Sequence, residues 1–146
     1  MENDKILNQL IEASEILKKQ IEGLNLQLEI IKEQIDEHNG TIETLNGYSS
    51  SEENDIYMDA GSSTYISLRT TQLKSTLIRI GSDIYVEYDI KRAIEILNDR
   101  INDLKSVENK AMDELKKLSN QYNAVQDKLE RIYSEMTGRN KNVQGA

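Results

Sequence analysis

Apolar residues along this chain follow two long heptad seams, separated by a stretch whose period drops to two. From residue 7 onward they return in steps of three and four. Leu7, Ser14, Ile21, Leu28, Ile35 and Ile42 form one set, and Leu10, Leu17, Leu24, Ile31, His38 and Leu45 the other. Only Ser14 and His38 are polar. A strict 3.5-residue repeat holds one narrow face toward a partner helix, which is what drives supercoiling. Gly23 and Gly40 fall at outward positions, where a glycine costs about 1 kcal/mol against alanine and leaves the seam intact.

The second seam covers 90–136. Ile94, Ile101, Glu108, Leu115, Tyr122, Leu129 and Met136 make one set; Ile90, Leu97, Leu104, Ala111, Leu118, Val125 and Ile132 make the other. Asp89 is placed to cap the helix, and Thr137-Gly138 to stop it. The closing "RNKNVQGA" has no periodicity and is expected to fray. Both seams run for roughly 60–70 Å at 1.5 Å per residue. With one connector between them, the economical arrangement is an antiparallel coiled coil within a single chain. Folding back sets small Ser14 against bulky Tyr122 and brings Glu108 near Leu28, where the carboxylate must tilt outward.

The connector breaks the pattern. After a polar, Ser-rich loop at 46–54, strands are expected at 55–60, 64–69, 76–80 and 84–88. In the second pair Ile78, Ile80, Ile84, Val86 and Tyr88 share a face; in the first, Ile56, Met58, Ala60, Ile66 and Leu68 do. Aligning Gly61 with Gly81 superposes Ser62 on Ser82, Tyr65 on Tyr85 and Ile66 on Val86, a short internal repeat. Glycine at each turn supplies the positive φ that tight hairpins need. An isolated hairpin is marginal in water, and its open edges invite pairing with other chains. Nothing else in the sequence is expected to cover these faces, so the hairpins read as strips that complete a sheet or barrel built from several subunits.

Composition narrows the function. The 146 residues include no Phe, Trp, Pro or Cys, and 30% are charged, which suits long solvated helices better than a spherical core. A formal net charge of −8 disfavours nucleic acid as a partner. No apolar run approaches the ~20 residues needed to cross a bilayer, and "MENDKILNQL" lacks the features of a signal peptide. A cytoplasmic protein is the expectation. His38 stands alone without a ligand cluster, and acid pairs such as Asp36-Glu37 read as solvated helix face. No phosphate loop, nucleophile elbow or metal spacing occurs, so no enzyme, cofactor or metal site is expected.

Helix, two hairpins and helix, with heptads on both arms, resembles the alpha subunit of prefoldin, the archaeal type especially. The most specific stretch is "IRIGSDIYVEYDIKRAIEILNDRI" at 78–101: strand, glycine turn, aromatic-Val-Glu strand and helix start. The likeness covers the chain apart from its tail. Two hairpins match the alpha class, whereas the beta class looks like the same coiled coil with one. The chain departs in its Gly-Ser-Ser and Gly-Ser-Asp turns and in Asp59, where the family often has proline.

The resemblance implies one mainly α domain with a small β part: an N-terminal coiled-coil helix over 1–47, linker and hairpins over 48–88, a C-terminal helix over 89–137 and a flexible tail over 138–146. It further implies an ATP-independent chaperone, a hexamer of two alpha and four beta subunits. Its hairpins form a β-barrel platform, and the coiled-coil tips hold unfolded proteins for a group II chaperonin. Apolar residues spill off the seam where both chain ends meet, which agrees with that role. Ile6, Leu7, Leu10, Ile11, Leu129, Ile132, Tyr133 and Met136 are the expected client contacts. Ile56, Met58, Ile66, Leu68, Ile78, Ile80, Ile84, Val86 and Tyr88 are the expected assembly residues, with Gly61 and Gly81 at the turns. The competing reading is a structural coiled-coil adaptor, or a prefoldin-like subunit that docks one fixed partner and binds no unfolded protein. A passive spacer would not require the apolar spill.

Overall fold

A computed structural model describes residues 2–145, with Gln144 as backbone only. The elements run α1 (Glu2–Ser50), β1 (Glu53–Gly61), β2 (Thr64–Thr71), β3 (Ser75–Gly81), β4 (Ile84–Asp89) and α2 (Ile90–Gln144). Two long helices thus flank two antiparallel hairpins, as the periods predict. The chain divides into two compact units, and both helices contribute to each. One unit holds the residues up to Ile31 and those from Val107 onward; the other spans Lys32–Ser106.

In the first unit the two helices lie side by side along the expected seam. Ile31, Ala111 and Leu129 are buried; Leu10, Leu17, Leu24, Leu118 and Val125 are half-buried, and Ile16, Leu26 and Met112 off the seam are exposed. Apolar burial on this face, about 25 cal/mol per Å², is what holds such a pair without a globular core. Its register differs from expectation by about one turn. Ser14 does not take Tyr122 as its partner: its Oγ accepts a hydrogen bond from Gln126 Nε2 at 2.7 Å. Tyr122 instead borders a hollow with Lys18, Ile21 and Glu22. Sequence periodicity fixes which face is buried, but a seam of near-identical Leu and Ile cannot fix which turn meets which.

The helix also continues through Thr137-Gly138 to Gln144, so the stop expected there is corrected. A glycine ends a helix by turning left-handed, and Gly138 does not; among the described residues the left-handed glycine is Gly61. Thr137 Oγ1 donates back to the Tyr133 carbonyl at 2.8 Å, a bond the helix accommodates.

The second unit is built where α1 ends. Ser49 and Ser50 hydroxyls donate to the carbonyls of Asn46 and Gly47, which carries α1 through part of the stretch expected as loop. The last carbonyls of a helix have no partner within it. Here β1 and the linker between the hairpins supply them: Leu73 N–H and the Asn54 amide both donate to Tyr48 O at 3.1 Å, and Gln72 Nε2 to Ser49 O at 2.6 Å. At the other end, Asp89 Oδ1 accepts Arg92 N–H at 2.7 Å, the expected N-cap of α2.

Between these joints lies the core. Leu45, Ile78, Ile90, Ala93 and Leu97 are buried together, with Ile42, Leu73, Tyr88, Ile94 and Ile96 packed around them. Ala93 is wholly buried within this cluster, which also holds Ile78 of β3. The expectation that no part of the chain covers the hairpin faces is therefore corrected for the second hairpin.

Candidate functional site

The two hairpins form separate two-stranded sheets with matching registers. In the first, Ile56 faces Leu68 and Met58 faces Ile66 directly across the ladder; in the second, Ile78 faces Val86 and Thr76 faces Tyr88. Each ladder slips by one residue just before its turn, at Asp59/Gly61 and at Arg79/Gly81, so the repeat read from sequence extends to a bulge in each hairpin. A bulge bends the strand and strengthens its twist.

The turns divide the work differently from expectation. Gly61 has φ 90°, and the two loop residues Ser62 and Ser63 follow at 50° and 57°, both positive as a type I′ turn demands. In the second hairpin the left-handed residue is Asp83, at 58°, and not Gly81. A short polar side chain tolerates that region better than most. Asp59 Oδ1 accepts Gly61 N–H at 2.8 Å at the first turn, and Arg100 reaches from α2 to donate to Arg79 O at 2.8 Å beside the second.

Burial separates the strips. On the first hairpin Met58, Ile66 and Leu68 are exposed and Ile56 is half-buried; Tyr57 and Tyr65 are open on the opposite face. On the second, Ile78 is buried within its own chain and Val86 and Tyr88 are half-buried, while Ile80 and Ile84 remain 53% and 57% exposed. Leu73, missed in the sequence, is half-buried and packs against the core. Its signal was there, as the single apolar residue of the "QLKS" linker. At the base of the first hairpin, Tyr48, Ile56, Thr71 and Leu73 line an open groove.

The other candidate surface lies in the first unit, one turn beyond the Ser14–Gln126 pair. There the structure brings together the first turns of α1 and the last turns of α2. Ile6, Tyr133 and Met136 are exposed, Leu7, Leu10, Ile11 and Ile132 are half-buried, and Leu129 is only 7% exposed. Val143, 79% exposed, was not anticipated. It stands seven residues after Met136, so the heptad count itself pointed to it once the helix is known to continue.

Apolar side chains dominate the exposed part of this helix end. Among the described residues, no cluster of three or more His, Cys, Asp or Glu side chains could hold a metal ion. His38 lies half-buried on the seam, its Nδ1–H donating to the Gln34 carbonyl at 2.6 Å. Among the same residues no helix is long and apolar enough to cross a membrane.

Paired heptad helices joined through two hairpins, one mostly exposed and the other packed into a core with the helices, define a coiled-coil subunit with a β-type connector. Known proteins place it more closely. Residues 12–135 match the prefoldin subunit family. Prefoldin subunit alpha of Methanospirillum hungatei is 30% identical over 88% of this chain and 82% of its own length. That of Methanoregula boonei is 30% identical over 77% of this chain and 73% of its own length. A filamentous PFD from Methanocaldococcus jannaschii, solved by cryo-EM, shares the fold: the TM-score is 0.68 at 18% identity, over 80% of this chain and 98% of that one. The chain belongs to the prefoldin family, a family of chaperones, and its relatives there are alpha subunits.

Proposed function

We propose that this chain works in an ATP-independent cytoplasmic chaperone, a hexamer of two alpha and four beta subunits. In that complex it holds unfolded or nascent proteins, prevents their aggregation and passes them to a group II chaperonin. Ile56, Met58, Ile66, Leu68, Ile80 and Ile84 supply the assembly strips, with Val86 contributing and Ile78 and Tyr88 supporting them from the core. Ile6, Leu7, Leu10, Ile11, Ile132, Tyr133 and Met136 make the client contacts; Leu129, expected among them, is buried and joins them only when the helices part. Weak apolar contacts of this kind gain strength when several subunits engage one client.

The observation that carries the reading is the exposure of Ile6, Tyr133 and Met136 around a helix end where Leu7, Leu10, Ile11 and Ile132 are only half covered. A passive spacer gains nothing from such a surface, which costs solubility. Deleting residues 1–11 and 129–146 is expected to abolish suppression of client aggregation while leaving the complex assembled. Loss of assembly in that variant would assign these residues a structural role and refute the client reading.

A further inference from the structure

We propose that Ser14 and Gln126 form a reversible latch between α1 and α2, governing access to the seam residues beyond it. The Gln126 amide donates to Ser14 Oγ at 2.7 Å across 112 residues of sequence, and the pair is partly buried. Ser14 occupies a seam position where its heptad equivalents are Leu7, Ile21 and Leu28. Serine there exchanges apolar burial for one hydrogen bond, and water can replace a hydrogen bond when the helices part. Apolar contact, by contrast, is lost outright on parting. The seam therefore loses apolar content at this turn.

What lies beyond the latch gives it consequence. Leu129 is 7% exposed, and Leu7, Leu10 and Ile132 are half-buried, so these side chains are largely covered while the helices stay together. Ile6, Tyr133 and Met136 are open regardless. The helix end thus has a permanent apolar rim and a covered reserve, released by local opening of the kind that spares the rest of a structure. The reserve's part in holding clients rests on the function proposed above; the latch itself does not.

The chain has no cysteine, so single thiols report opening cleanly. Leu129→Cys in the full chain is expected to react slowly with a small alkylating reagent. Adding Ser14→Ala should speed that reaction about fivefold, the equilibrium factor for one net hydrogen bond. Ser14→Thr, which keeps the hydroxyl, should restore the slow rate, and Ser14→Leu should slow it further. Ile31→Cys, buried in the same unit, should not respond to Ser14→Ala. An unchanged Leu129→Cys rate, or equal acceleration at both thiols, overturns the latch. In the assembled complex Ser14→Leu should weaken suppression of client aggregation; full suppression by that variant overturns the reserve's role. If the unmodified complex suppresses nothing, the proposed function fails while the thiol kinetics still decide the latch.

Discussion

Ile78 and Ile80 lie two residues apart on one strand and read identically in sequence, yet the fold gives them different work. Truncating Ile78 to Ala removes three carbons from a side chain buried with Leu45, Ile90, Ala93 and Leu97. At about 0.8 kcal/mol per buried carbon the transfer loss is about 2.4 kcal/mol. The cavity left beneath the strand raises the total to about 3 kcal/mol. Ile80 is 53% exposed, so the same truncation forfeits about half the transfer loss, about 1 kcal/mol. The lower strand propensity of alanine affects both variants and cancels in the comparison. Urea unfolding of the isolated full chain, followed by helical circular dichroism, should show a midpoint lowered by about 1–2 M for Ile78→Ala and by less than half of that for Ile80→Ala. Ile80→Ala should instead weaken association with partner subunits. Equal midpoint shifts, or a larger one for Ile80→Ala, would refute the division of the strip into an internal and an outward part.

Two further outcomes follow from the same geometry. Met58→Asp sets a carboxylate on the exposed face of the first hairpin beside Ile66; sedimentation should show assembly abolished, with helical content unchanged. Asp89→Ala removes the acceptor for Arg92 N–H at the start of α2, and denaturant unfolding should register a loss of about 1 kcal/mol.

Much of this fold is legible in the residues because the two periods are physically exclusive. A 3.5-residue repeat cannot bury one face of a strand, and alternation cannot bury one face of a helix. That is why the helices, the four strands and the hairpin faces follow from the apolar positions, while Asp89, a capping residue, marks the start of α2. What the pattern does not carry is information about distance. Ile78 and Ile80 differ only in what lies beneath them, and the strand sequence holds no trace of Ala93 on a helix. Likewise the seam shows that Ser14 faces α2 without showing whether Tyr122 or Gln126 receives it. The turns mislead for another reason: glycine permits positive φ but does not require it, and in the second hairpin Asp83 takes that conformation while Gly81 serves the ladder.

At the candidate site, the exposed rim of Ile6, Tyr133 and Met136 was visible as apolar residues flanking or ending a seam. Val143 was hidden by the assumption that Gly138 ends the helix. Burial of Leu129 follows from its seam position, whereas the residues it meets on α1 depend on the register that Ser14 and Gln126 reveal.

The central claim is that this chain, assembled with beta-type prefoldin subunits, holds non-native protein. Its most direct test is to purify that complex, dilute a chemically denatured protein into it without nucleotide, and follow light scattering. The account predicts that scattering falls in proportion to added complex and saturates when the client ends are filled. Scattering unchanged from that of the diluted protein alone, with the complex intact by mass, would contradict it.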